Sequence, residues 1–138
     1  MVAISRHLSL SSSERRQLID ITSEVLSFVE GAEVKNGICL ISVPHATAAV
    51  IVNEHEGGLM SDMLDKIEDL FPKSSGYGHN AIDDNADAHL AAAFLGHARM
   101  FPIVNNRIIK GTWQNVFLVE LDGPRSRRTV CLQIIGEK

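Results

Sequence analysis

Apolar and polar residues alternate loosely over residues 3–10, the period of an opening strand. A polar stretch, residues 11–16, separates this run from Ile21, Val25, Phe28 and Val29, which recur at i, i+4, i+7 and i+8 and so mark one face of a helix. Asp20 and Thr22 are plausible caps for that helix, which is expected to reach about Glu30 and stop at Gly31. Two short runs rich in β-formers follow, residues 38–43 and 48–52, separated by Pro44-His45-Ala46-Thr47. Proline has no amide to donate and belongs at a strand end or edge, which puts His45 at the junction of two strands. Leu59, Met63, Ile67 and Leu70 fall on one side of a second helix predicted over about residues 58–71, closed by Pro72 and the stretch 73–78. A third helix is predicted to begin at Asn85, a good N-cap, and to stop at Gly96. The remainder reads as strands at 99–104, 107–110, 116–121 and 127–135, with turns at Asn105-Asn106 and Asp122-Gly123-Pro124.

This pattern predicts one α+β domain spanning residues 1–138, with about three helices and a C-terminal half that is mainly antiparallel sheet. With 45% hydrophobic and 22% charged residues the chain is long and apolar enough for a single buried core. A formal charge of −4 gives no general attraction to nucleic acid. No apolar segment approaches the ~20 residues needed to cross a bilayer. The first ten residues lack a basic start followed by an apolar stretch, so a cytoplasmic address is the expectation. Cys39 and Cys131 lie far apart in apolar runs with no C-x-x-C spacing, which favours two reduced, packed thiols over a disulfide.

Three of the six histidines stand in settings suited to chemistry. His45 is at the strand junction, His79 lies in the glycine-rich segment around Gly76 and Gly78, and His89 falls in the first turns of the third helix. Neutral imidazoles gathered from loops and helix starts suit a borderline divalent metal such as zinc, and the same groups without metal suit acid–base catalysis. Spacing alone leaves scattered surface or capping histidines as the more frequent alternative; His7, His55 and His97 are read that way. The run Asp83, Asp84 and Asp87 either supplies carboxylates to such a site or serves the helix start. Trp113 and Gln114, between two strands, either close a pocket or pack the sheet. Arg125, Arg127 and Arg128 after the Asp-Gly-Pro turn either hold a phosphate or carboxylate or form a solvated hairpin end.

The segments Pro44-His45-Ala46-Thr47-Ala48-Ala49, Asn53-Glu54, Tyr77-Gly78-His79-Asn80, Asp84-Asn85-Ala86-Asp87-Ala88-His89-Leu90, Gly111-Thr112-Trp113-Gln114, Asp122-Gly123-Pro124-Arg125 and Gly136-Glu137 together resemble the YjbQ family, also described as secondary thiamine-phosphate synthase. The match covers essentially the whole chain in order. The resemblance implies a compact fold with a largely antiparallel, sandwich-like sheet, assembled as a homotrimer. It also implies that His45, His79 and His89 converge in one pocket that holds a divalent metal ion, zinc or magnesium. Thr47, Glu54, Asp84, Asn85 and Gln114 match motif positions that would line or support that pocket, and Trp113, Arg125 and Arg128 are the further candidates for contact with substrate. Ala46 replaces the hydroxyl residue usual after the histidine, with Thr47 keeping a hydroxyl one place later. The implied activity joins a hydroxymethylpyrimidine diphosphate to a thiazole phosphate, releasing diphosphate. A metal-dependent hydrolase with Asp84 or Glu54 as base, and a non-catalytic trimer holding a small ligand or metal, are the competing expectations.

Overall fold

The computed structural model describes all residues, Met1 to Lys138, as strands β1 (Val2–Leu10), β2 (Gln17–Asp20), β3 (Asn36–Ser42), β4 (Ala48–Asn53), β5 (Ala98–Val104), β6 (Arg107–Ile108), β7 (Asn115–Glu120) and β8 (Arg128–Glu137) and helices α1 (Thr22–Ala32), α2 (Gly57–Leu70) and α3 (Ala86–Leu95). A single 3₁₀ turn spans Gly78–Ala81. All pairings are antiparallel, in a five-stranded sheet ordered β1-β8-β3-β5-β6 and a three-stranded sheet ordered β2-β7-β4. The expected α+β class with three helices is the observed one. The C-terminal half is mainly antiparallel strand, as expected, and its strands are interleaved with those of the N-terminal half. Four of the eight strands precede residue 54, and β8 lies between β1 and β3.

Alternation along two strands explains the layering. In β7, Val116 and Leu118 face one core while Phe117 and Val119 face another; in β4, Ala48 and Val50 oppose Ala49 in the same way. The three-stranded sheet is therefore covered on both faces, which is why residues 48–52 and 116–121 read as continuous apolar runs rather than as alternating ones. On one side, Val25, Phe28 and Val29 of α1 fill the space up to Ile41, Leu132 and Ile134 of the five-stranded sheet. On the other, Ile67 of α2 and Ala88, Ala91 and Ala92 of α3 pack against Ala49, Phe117 and Val119. The alanines let α3 approach β4 closely, and this proximity carries His89 toward the β3–β4 connection.

Asp20 receives the Thr22 amide on Oδ1 at 2.8 Å, the first-turn contact expected of a cap, although Ile21 occupies the N-cap position itself. Glu56 caps α2 by accepting from the amides of Gly58 and Leu59. Gly31 does not end α1, which continues to Ala32 and closes on Glu33 in the left-handed region at φ 54°. Leu70 is exposed; the apolar side of α2 is made by Met60, Met63, Leu64 and Ile67. Strand β2 lies in a stretch too short and polar for periodicity to reveal, held by its ladder to β7. No helix is long and apolar enough to cross a membrane.

The two cysteines point to opposite faces of the five-stranded sheet, since Cys39 pairs with Ile134 while Cys131 pairs with Ser42 three positions along, an odd number. Cys39 is fully buried, and burial pushes its thiol up to about 11. A thiol reagent at pH 8 is therefore expected to label at most one cysteine in the folded protein and both after denaturation. Rapid labelling of both thiols in buffer would contradict this packing.

Candidate functional site

The β3–β4 connection crosses from the five-stranded to the three-stranded sheet and carries His45 on it. Nε2 of His45 accepts the Thr129 amide of β8 at 2.9 Å, which locks the ring between the sheets. With Nε2 accepting, the neutral ring carries its proton on Nδ1 and is a donor there. Burial, reinforced by the positive charges of Arg128 and Arg125, lowers the pKa of His45 despite the opposing pull of Glu120. His45 is thus a neutral hydrogen-bond donor at pH 7.

The histidines of the glycine-rich segment and of α3 do meet. The rings of His79 and His89 lie edge to face with centroids 4.8 Å apart. Nε2 of His79 is 3.0 Å from Oδ1 of Asn85, whose amide nitrogen donates to Oδ2 of Asp122 at 2.8 Å. Asp122 fixes the orientation of the Asn85 amide, so Nε2 of His79 must be the donor and Nδ1 carries the free lone pair. Asp122 is held in turn by Arg125 and lies 3.6 Å from Arg15. Asn85 stands at the N-cap position of α3, but its side chain serves His79 rather than the helix amides.

His89 links two adjoining hollows. With His45, His97, Val43, Ala46 and Ala92 it lines a cavity of about 530 Å³; with Tyr77, His79 and Leu90 it lines a second of about 390 Å³. His97, read from the sequence as bland, is therefore a site residue; its position before β5 gave no hint that the sheet would bring it beside His45. The expected three-histidine ligand set is not assembled within one chain. Nowhere do three or more His, Cys, Asp or Glu side chains converge as metal ligands, and the Nε2 lone pair of His45 is already engaged by Thr129. These residues do not fit a metal held by His45, His79 and His89 together in this arrangement.

Several other candidates support the site rather than line it. Arg128 is buried, with Nε on Oε1 of Glu120 at 2.9 Å and Nη2 on the carbonyl and hydroxyl of Thr47, both at 3.0 Å. Thr47 is buried by the same contacts, and both residues brace the loop that carries His45. Glu120 also accepts from Ser12 and from the Leu121 and Asp122 amides. These donors outweigh the upward push of burial and hold its carboxyl below the usual carboxylate range. Asp87 is fully buried and bridges Arg15 and Arg16; their hydrogen bonds overcome burial and lower its pKa. It serves these arginines and so fastens α3 to residues 15 and 16. Asp84 is exposed beside this cluster, and Arg127 reaches Ser9.

Trp113, Gln114 and Glu54 lie elsewhere. Ala48 of β4 pairs with Glu120 and Asn53 with Asn115, so the segment 111–114 and Glu54 sit at the end of the β4–β7 ribbon opposite His45. The Gln114 side chain accepts the Gly111 amide at 2.7 Å and closes a turn, while Trp113 is 71% exposed. At that end His55 is not a bare surface residue: its Nδ1 is 2.5 Å from Asp20 Oδ2. Asp122 and Glu120 are the functional supports that sequence reasoning missed. Asp122 was visible as a turn residue and as part of a family motif but not as a partner of Asn85, and Glu120 closes an apolar run that gave no sign of a buried carboxylate.

The chain matches the family model described as UPF0047 protein YjbQ-like over residues 6–137. It is 44% identical over 128 residues to a UPF0047 protein of Methanothermobacter thermautotrophicus, covering 93% of this chain and 90% of that one. It is 32% identical over 130 residues to the UPF0047 protein YugU of Bacillus subtilis, covering 94% and 97%. A crystal structure of a YbjQ-like protein from Sulfolobus solfataricus superposes with a TM-score of 0.97 at 50% identity, covering 99% of each chain. One from Clostridium acetobutylicum, of the YjbQ/UPF0047 family, gives 0.89 at 34% identity, over 94% of this chain and 99% of that one. With almost every residue of the chain accounted for by these matches, it belongs to the YjbQ (UPF0047) family.

Proposed function

We propose that the chain is an enzyme that binds a small anionic heterocyclic substrate between His45, His89 and His79 and carries out group transfer there, with thiamine-phosphate synthesis as its reaction. The observation that carries this reading is the opposite polarity of two fixed imidazoles: His45 presents Nδ1–H, and His79, oriented through Asn85 and Asp122, presents a lone pair. A donor and an acceptor flanking a third ring form a minimal set for hydrogen-bonding a departing oxyanion and for holding a bound heterocycle in line with it.

In the proposed reaction the carbon–oxygen bond to diphosphate breaks and the thiazole nitrogen supplies the electron pair of the new carbon–nitrogen bond. Diphosphate leaves with the electrons of the broken bond. The positive charge of half-exposed Arg125 and the Nδ1–H of His45 face the charge that develops on it. His79 holds and orients the pyrimidine through its free nitrogen. Neither the sequence nor the site has a glycine-rich phosphate cradle, which suits a slow, secondary activity better than a dedicated one.

The test is diphosphate release from hydroxymethylpyrimidine diphosphate, with and without thiazole phosphate, on wild type and on a His45→Ala, His79→Ala, His89→Ala triple variant, with metal content measured on the same samples. Thiazole-dependent release that the folded variant loses is the expected result. Release independent of thiazole phosphate would replace transfer by hydrolysis. Metal or ligand retention that depends on the histidines, with no release at all, would make the chain a binding protein.

A further inference from the structure

A separate cavity lies far from the histidines. Strand β5 starts beside His97, at the histidine cavity, and ends about 20 Å away at the Asn105-Asn106 turn. There α1 packs against β6, and a cavity of about 480 Å³ opens between them, within the size range of small-molecule sites. Its floor is apolar, made by buried Val29 and half-buried Leu26 and Ile108.

Its walls carry opposite charges. Arg107 and Lys110 stand on the β6 side and Glu30 on the α1 side. None of the three enters an ion pair, although they line one cavity. Lys110 Nζ reaches only the Gly111 carbonyl, at 3.3 Å. The α1 wall also holds acceptors without donors. The last turn of α1 has no basic residue to complement its carbonyl end. Asn106 is tied to α1 by its amide nitrogen, which donates to the Glu30 carbonyl at 3.5 Å, while its Oδ1 is buried and has no donor. A buried acceptor left so is destabilising until something supplies a hydrogen bond. One wall therefore suits a cation with several N–H donors, the other an anion, and the floor a hydrocarbon or ring.

We infer that this cavity binds a free apolar α-amino acid, of the leucine or phenylalanine kind. The ammonium donates to Glu30 and gives Asn106 Oδ1 the donor it lacks. The carboxylate accepts from Arg107 and Lys110, and the side chain covers Leu26, Val29 and Ile108. A ligand that is only an anion is repelled by Glu30, and one that is only a cation by Arg107 and Lys110, so a zwitterion is the class that satisfies both walls. The inference is independent of the reaction proposed above, since the two sites share no residue.

Isothermal titration calorimetry with L-phenylalanine is expected to show one site per chain. N-acetyl-L-phenylalanine lacks the ammonium and L-phenylalaninamide lacks the carboxylate, and each is expected to bind about 10-fold more weakly. L-serine, with both charges and no apolar body, is expected to lose about 10-fold as well. Glu30→Gln is expected to weaken L-phenylalanine about 10-fold and to leave the N-acetyl compound unchanged. Lys110→Met is expected to weaken L-phenylalanine by a similar factor and to leave the amide unchanged. That crossed pattern cannot arise from unfolding, which would remove all the ligands alike. The His45→Ala, His79→Ala, His89→Ala variant is expected to bind L-phenylalanine as wild type does. No binding of L-phenylalanine, equal binding of its two blocked derivatives and itself, or binding lost with the histidines would each overturn the inference.

Discussion

Replacing Glu120 by alanine is expected to cost about 3–5 kcal/mol of folding stability, read as a lowered midpoint in urea with an unchanged slope. Glu120 and Arg128 are both buried, and Glu120 takes the Arg128 guanidinium, the Ser12 hydroxyl and two backbone amides. Removing the carboxylate leaves a guanidinium in the interior with no counter-charge. The large effect is thus the cost of orphaning Arg128, and it should shrink when Arg128→Met is added, since an apolar side chain in place of the guanidinium needs no counter-charge. A double variant as unstable as the single one would show that the pair does more than neutralise itself.

The same carboxylate makes stability depend on pH. Its folded pKa is depressed, so its contribution is present above the unfolded value of about 4.3 and is lost as pH falls through the folded value. Asp87 and Asp20 are depressed too and act in the same direction. The wild type is therefore expected to lose stability steeply below about pH 4, and Glu120→Gln is expected to flatten that limb. Because Thr47, Arg128 and Glu120 brace the His45 loop, acid weakens the site by the route by which it weakens the fold.

His79→Ala is expected to lower the turnover of thiazole-dependent diphosphate release by about 10²-fold with the fold intact, the cost of losing a contact that orients the reacting ring. Asn85→Ala and Asp122→Ala separate chemistry from positioning. Neither residue lines the hollows, yet the His79–Asn85–Asp122 chain sets which nitrogen of His79 carries the proton. Both variants should therefore retain more activity than His79→Ala and shift the pH profile of kcat. A plain loss of stability with an unmoved pH profile would make Asn85 and Asp122 structural residues only. His45→Gln keeps a donor where His45→Ala does not, and partial recovery in the glutamine variant would support the donor role assigned to Nδ1.

The sequence by itself determined most of the elements, because their signals are local. The α1 face of Ile21, Val25, Phe28 and Val29 follows from helical periodicity, and all four residues are buried as that spacing requires. The Asn105-Asn106 turn follows from residues that accept positive φ, which both adopt. The order of motifs along the chain was enough to name the family. The meeting of His79 with His89 followed from the family resemblance and not from their spacing. Only the tertiary structure decided the rest. Strand order brought His97 beside His45, and antiparallel register sent Trp113, Gln114 and Glu54 to the other end of the ribbon. Burial decided the arginines: Arg128 became a brace while Arg125 kept its surface, although they lie three residues apart in one basic cluster. Asp122 and Glu120 carry their weight through partners distant in sequence, Asn85 and Ser12 among them. Side-chain type and spacing encode local conformation and chemical potential for reaction, but which groups share a dry, charge-matched space depends on long-range packing, and no local pattern reports that.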